Sequence, residues 1–505
     1  MPRAARLLAA LLVALGGCAS LPPNTARQAS EALSDTADTR LGRALAVAVA
    51  SHPGKTGIHA LGSGRDAFTA RVLLARAAER SLDVQYYILR DDVTGGLLCE
   101  ALWQAAERGV RVRLLLDDGG TRGLDSLIAA LDAHPNIEVR LFNPYASRRF
   151  RVGELATDFS RLNRRMHNKS FTADNQAAIV GGRNVGDEYF GAESNVEFTD
   201  LDALAVGAVV REVSASFDAY WNSASAYPAA ALIPAASPES ARQRREAWAR
   251  LNASPEAAKY VETLRTTPLV RELLSGNLPL EWASAYVVSD DPAKVLHPPE
   301  RTELQMLPRL QAVFGKPERS LDLVSPYFVP TEDGTAALTA LAGRGVKVRV
   351  LTNSLAATDV APVHAGYAKY RAALLRGGVR LFELKPTAEQ IDKRESVGGS
   401  DASLHAKTFA VDGRRIFVGS FNFDPRSARL NTEMGVVIES ASLASQLSAT
   451  LDGSLPRDAY EVRLAPDGDL EWVSEGQVAT SEPGAGFFRS LWIGFLSLLP
   501  IEWLL

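Results

Sequence analysis

Cysteine is nearly absent: 505 residues contain only Cys18 and Cys99. The leader described below accounts for Cys18, so the mature chain has no disulfide framework and no thiolate cluster of the kind that holds zinc. Histidine is sparse too, with seven residues and no His-x-x-x-His pair. Neither sign of charge dominates, because the formal net charge is −4, which argues against a general polyanion binder. No uninterrupted apolar run reaches the roughly 20 residues of a spanning helix. What is present is ordinary globular material, 46% hydrophobic and 23% charged, and long enough for about two or three domains.

The two ends carry the apolar stretches. "MPRAARLLAALLVALGGCAS" has Arg3 and Arg6, an apolar run from Leu7 to Leu15, and then small residues, the layout of a secretory signal. Its Leu15-Gly16-Gly17-Cys18 ending resembles a bacterial lipobox, which predicts a leader over 1–17 and a lipid on Cys18. Ala19 and Ser20 leave either membrane of the envelope open. Residues 484–505 end in "GFFRSLWIGFLSLLPIEWLL", broken by Arg489, Pro500 and Glu502. That pattern, with Trp492 and Trp503, predicts an interfacial segment dipping into a membrane.

The middle of the chain repeats. "RSLDVQYYILRDDVTGGLLCEALWQAAERGVRVRLLLDD" near Ser81 returns as "RSLDLVSPYFVPTEDGTAALTALAGRGVKVRVLTNS" near Ser320. Each reads as strand, Gly-containing loop, amphipathic helix and strand. "VRLF" at Val139 returns at Val379. The chain therefore reads as two copies of one α/β unit, helices flanking a mostly parallel or mixed sheet, over 45–222 and 300–465. Residues 223–299 read as a helical connector without a counterpart in the first copy. "SPESARQRREAWARL" opens like a capped helix, and "LEWASAYVVSDDP" leads into the second copy.

A polar motif repeats at the same interval. "HNKSFTADNQAAIVGGRN" and "HAKTFAVDGRRIFVGSFN" both spell His-x-Lys-(four)-Asp-(six)-Gly-[Gly/Ser]-x-Asn, 238 residues apart. In an extended chain, alternation puts His167 with Lys169, and His405 with Lys407, on one face. Attack on a phosphodiester needs a nucleophile, an acid for the leaving alkoxide, and donors for the phosphoryl oxygens. Imidazoles serve the first two needs near neutral pH and lysines supply point charges. Asn184, Asn422 and Ser420, just after a tight glycine turn, are candidate phosphate donors. Gly182 stands where the second copy has Ser420. Asp174 and Asp412 complete the motif. Two acids further on, Glu433 and Asp200, are better placed to orient the histidines, with Glu433 the acid expected to serve His405.

The doubled motif resembles the signature of the phospholipase D superfamily. "SPYFVPTEDG", "HAGYAKYRAALLRGGVRLFELKP" and "GSFNFDPRSARLNTEMGVV" resemble bacterial cardiolipin synthases, particularly those of the C-type. The resemblance implies two tandem α/β/α sandwich domains forming a pseudo-dimer, with one active site at their interface. It also implies a phosphohistidine on His167, acid/base duty for His405, a mainly structural Asp174 and Asp412, and neither metal nor cofactor. The implied substrates are phospholipids, with phosphatidylglycerol as donor and phosphatidylglycerol or phosphatidylethanolamine as acceptor. The membrane would be reached through Cys18 and the C-terminal segment. Nucleic acid is disfavoured by the charge, and an auxiliary protein is left open. Phospholipid hydrolysis, an exported nuclease and a non-catalytic lipoprotein scaffold are the competing functions.

Three other features carry weaker expectations. His52, His59, His134, His297 and His364 are read as loop or surface residues. Six arginines between Arg148 and Arg165 are either a solvated loop or a positive rim. Tyr86, Tyr87, Tyr327 and Phe328 follow equivalent strands and either line a pocket or pack in the core.

Overall fold

The computed structural model describes residues 20–192, 199–275, 278–358, 360–386, 404–484 and 502–505. Cys18 and nearly all of the 484–505 segment lie outside the described residues.

Two sheets form from the two copies, and their strand orders match. In the first, β1 (Thr56–Leu61), β2 (Ser81–Ile88), β3 (Arg111–Gly120), β4 (Ile137–Phe142), β5 (Ser170–Ala173), β6 (Ala177–Gly181), β7 (Asp202–Gly207) and β8 (Ala226–Pro228) lie in the order β8-β4-β3-β2-β5-β6-β7-β1. Only β2, β3 and β4 are mutually parallel. The second sheet uses β9 (Glu281–Ser289), β10 (Ser320–Val324), β11 (Lys347–Asn353), β12 (Arg380–Leu384), β13 (Thr408–Val411), β14 (Arg415–Gly419), β15 (Met434–Glu439) and β16 (Ala459–Leu464). Their order is β16-β12-β11-β10-β13-β14-β15-β9, again with three parallel strands in the middle.

This corrects the boundaries read from the sequence. β9 pairs with β15 as β1 pairs with β7, so the second unit begins at its first strand, inside the stretch assigned to the connector. Two further strands, Leu470–Ser474 and Gln477–Ala479, extend the second sheet past residue 465. The connector proper is three short helices, Pro238–Asn252, Pro255–Arg265 and Pro268–Leu274. Each starts with Ser or Thr followed by proline, and that Ser or Thr side chain accepts an amide of the first turn. They bury Trp248, Tyr260 and Leu269 against the first unit.

The parallel strands are joined by helices, as parallel pairing requires. Val93–Glu107 joins β2 to β3, and Thr331–Gly343 joins β10 to β11. Cys99 is buried on the first of these, where it packs as a small apolar residue. The two sheets meet through a cluster rich in small side chains, including Ala178, Ala203 and Ala205 against Ala410, Val418 and Val436. Alanine there lets the sheets approach closely. Backbone pairing of β1 with the start of β9 adds hydrogen bonds across the same junction.

Candidate active site

Both histidine segments end on the junction, and each is paired with the other half of the chain. Met166 bridges Thr432, with His167 N donating to Thr432 O at 2.8 Å. Leu404 bridges Thr199, and His405 N donates to Thr199 O at 2.9 Å. The residue after each of those partners is an acid. His167 Nδ1 lies 2.9 Å from Glu433 Oε2, and His405 Nδ1 lies 2.6 Å from Asp200 Oδ2.

Glu433 and Asp200 are therefore each hydrogen-bonded to an imidazole, but crosswise. The sequence reading gave Glu433 to His405; the structure gives it to His167, and Asp200 to His405. The reason is topological: the acid-bearing strand of each unit lies at the junction, where it meets the facing unit's histidine. A neutral ring donating Nδ1–H to a carboxylate leaves its Nε2 lone pair available.

The carboxylates are held differently. Glu433 Oε1 accepts from Ser427 Oγ at 2.8 Å, Oε2 accepts from Ser420 Oγ, and its amide donates to Asp290 Oδ2 at 2.7 Å. Asp290 is itself buried against Lys294 at 2.9 Å. Asp200 Oδ1 accepts from Leu201 N at 2.8 Å, and its carbonyl accepts from the buried Arg183. Gly182 is explained here: a Cβ at that position would lie 2.4 Å from Asp200 Oδ1. The short aspartate fills the room that Ser420 occupies beside Glu433.

Lys169 Nζ donates to His167 O and Lys407 Nζ to His405 O, which fixes both ammonium groups beside the rings. Burial pushes His167 down to about 4; Glu433 opposes this, and Lys169 and Lys407 add to it. Burial and then Lys407 push His405 down to about 3 against the pull of Asp200. Burial works to raise both acids, but the facing histidines and lysines outweigh it, so both stay below the ordinary carboxylate range. Burial also takes Lys169 well below the usual lysine value. At neutral pH the resting site thus holds two neutral imidazoles backed by two carboxylates, with the Lys169 and Lys407 side chains held beside them.

The motif aspartates and the candidate phosphate donors are placed as follows. Asp174 and Asp412 sit apart from the rings, one strand-length beyond the lysines. Asp174 accepts the amides of Glu79, Arg80 and Ser81, and Asp412 those of Glu318, Arg319 and Ser320. Both are in left-handed turns, at φ 51° and 56°, and tie the β5–β6 and β13–β14 hairpins to the starts of β2 and β10. The Asn184 amide is occupied internally: Oδ1 accepts from Ile88 N and Nδ2 donates to Tyr189 OH. Ser420 is likewise spent on Glu433 rather than turned toward a phosphate. Asn422 is buried, and its Oδ1, an acceptor, is unpaired among the described residues.

Aromatic edges complete the site. Tyr87 meets the His167 ring at 5.2 Å and 71°, and Tyr189 meets the His405 ring at 5.2 Å and 76°. Tyr87 was among the expected lining residues; Tyr189 was not, and neither were Ser427, Asp290 or Arg183, since nothing in their spacing repeats between the copies. Tyr86 instead bonds Arg71, and Phe328 packs in the second core. His134 and His364 are buried, not superficial, and His364 lies 3.0 Å from Glu482. The arginine-rich stretch is mostly paired internally. Arg148 and Arg151 meet Asp118, Arg161 meets Glu154 and Asp158, and Arg165 meets Asp117. That reduces the expected positive rim.

A family model described as "Cardiolipin synthase, PLD-like domain" matches residues 73–221 and 310–454, which hold both histidine motifs and both crossed acids. The chain belongs to this phospholipase D-like, cardiolipin synthase family. Among the family's curated members, cardiolipin synthase C of Escherichia coli (strain K12) is 48% identical over 474 residues, covering 92% of this chain and 100% of that protein. An uncharacterized protein of Helicobacter pylori (strain ATCC 700392 / 26695) is 31% identical over 495 residues, covering 96% of each chain. The crystal structure of phosphatidylserine synthase from Haemophilus influenzae Rd KW20 shares the fold, with TM-score 0.57 at 14% identity, covering 92% of this chain and 100% of that one. As a phospholipase D-like family member the chain is an enzyme, built on the tandem α/β architecture.

Proposed function

We propose that the chain makes cardiolipin by transferring a phosphatidyl group from a donor phospholipid, phosphatidylglycerol or phosphatidylethanolamine, to the headgroup hydroxyl of phosphatidylglycerol. The crossed histidine–carboxylate pairs carry this reading, because they present two opposed, neutral imidazoles to one anionic phosphodiester. His167 Nε2 attacks phosphorus and the bond to the headgroup alcohol oxygen breaks. His405 takes up a proton from solvent on Nε2 as the substrate binds and hands it to that leaving oxygen. Its low resting proton affinity rises when the anionic phosphodiester enters beside it. In the second half, His405 takes the proton of the acceptor hydroxyl, whose oxygen attacks phosphorus and breaks the phosphorus–nitrogen bond. Lys169 and Lys407 stabilise the phosphoryl oxygens throughout.

The product assay is direct. Purified protein with labelled phosphatidylglycerol should yield labelled cardiolipin. Phosphatidic acid alone would mean hydrolysis, and no product would overturn the reading.

We also propose that the chain works at a bacterial envelope membrane, held by a lipid on Cys18 and by its apolar C-terminal segment. No helix among the described residues is long and apolar enough to cross a membrane. Exposed Phe150, Val152 and Trp503 are apolar groups fit to touch an interface. Metabolic labelling with a fatty acid should mark the wild type and fail with Cys18→Ser.

A further inference from the structure

The two halves differ most behind the histidine segments. In the first, the helix Ala208–Trp221 packs Phe217, Tyr220 and Trp221 against Leu115, Phe142 and Met166. The strand register fixes the counterparts, since Asp202 lies opposite Gly181 as Gly435 lies opposite Gly419. The helix caps, Gly207 and Ser440, keep the same interval. Phe217, Tyr220 and Trp221 therefore correspond to Thr450, Gly453 and Ser454 on the helix Ala441–Asp458. Their surroundings stay apolar: Leu351 stands for Leu115 and Leu404 for Met166. Three large rings in one half are matched by two small polar side chains and a glycine in the other.

Where the rings would be, the second half has a cavity of about 690 Å³. Leu404, Ala406 and Thr408 form one wall. They alternate with His405 and Lys407, which point to the reaction centre from the opposite face of the same segment. Thr199 and Asp200, the partners of His405, form the adjoining wall. The inner lining is aliphatic, with Ile58, Leu447 and Leu451 among its members, and Lys385 and Arg457 are its solvent-facing cations. Thr408 Oγ1 is buried without a hydrogen-bond partner among the described residues.

We propose that this cavity holds an acyl chain of a phospholipid substrate, anchoring that lipid beside the His405 half of the site. Aliphatic walls suit a flexible hydrocarbon. The shared wall with the His405–Asp200 pair links chain binding to the reaction centre. The inference rests on the phosphatidyl-transfer reading above.

Refilling the cavity tests it. The double variant Thr450→Phe/Ser454→Trp restores the first half's residues. The KM for a long-chain phosphatidylglycerol should rise about tenfold or more, while turnover of dihexanoyl phosphatidylglycerol stays within about twofold, because only the long chain loses buried methylenes. Equal effects on both chain lengths, or none on either, would overturn the proposal. A wild type that transfers neither lipid would instead remove the phosphatidyl-transfer reading. Photolabelling needs no variant: phosphatidylglycerol with a diazirine at one chain end should mark the wild-type helix Ala441–Asp458. Adducts confined to other segments would refute the assignment even if the double variant failed to fold.

Discussion

The two halves have nearly the same backbone and treat their acids differently. The first half packs Asp200 tightly against a glycine and braces it through a buried arginine, Arg183. The second half holds the longer Glu433 with the hydroxyls of Ser420 and Ser427. The first half also supplies both tyrosine edges, Tyr87 and Tyr189, one to each histidine. Duplication thus preserved where the rings sit, while the means of fixing them diverged. The difference fits a division of labour between a nucleophile and a proton carrier, which need unlike environments.

The strongest test of the comparison removes either ring. His167→Ala and His405→Ala should each lower turnover by about a thousandfold or more, since groups acting as a unit fail together. Near-normal activity in either variant would break the shared-site picture. Single-turnover trapping should leave labelled phosphorus on His167, and label on His405 would reverse the assigned roles.

Next come the crossed acids. Glu433→Gln and Asp200→Asn should each cut kcat by roughly a hundredfold or more, because an amide no longer fixes the productive tautomer. Glu433→Gln should slow formation of the phosphohistidine on His167, the ring that it touches, although the two residues belong to different halves. An effect confined to proton transfer at His405 would restore the uncrossed assignment.

The pH profile should be displaced as well. An imidazole depressed from 6.5 to about 4 stays neutral, and so able to attack, down to that value. The acid limb of kcat/KM should therefore fall near pH 4, and a limb at 6.5 would contradict the burial argument. Stability should also decline as pH drops from 6.5 toward 4, because the unfolded chain then binds protons that the native site refuses. Thermal melts across that window measure this.

The smallest effects belong to the motif's own aspartates. Asp174→Ala should cost about 2–3 kcal/mol of stability and the more exposed Asp412→Ala about 1 kcal/mol, each leaving kcat near wild type, since the lost bonds are to backbone amides. A large fall in kcat with unchanged melting temperature would return these residues to the chemistry.

The repeat, the two α/β units and the histidine–lysine pairs were legible because they rest on periodicity and on a spacing that recurs. β9 was missed as a first strand because its sequence, EWASAYVVS, resembles little in TGIHAL, and strand pairing is a matter of position in space. The crossing of the acids was equally invisible. Spacing along the chain ties Glu433 to His405, whereas the docking of two sheets ties it to His167. Asn184 and Ser420 looked like ligand donors because exposed turns favour such residues. Buried, they serve Tyr189 and Glu433 instead.

The crossed pairing has a consequence for how such a chain becomes active. Neither half can ready its own imidazole, so a nascent or misdocked chain carries two rings free to turn and adopt the wrong tautomer. Competence appears only when Met166 meets Thr432 and Leu404 meets Thr199. That junction therefore works as an assembly interlock for the paired rings.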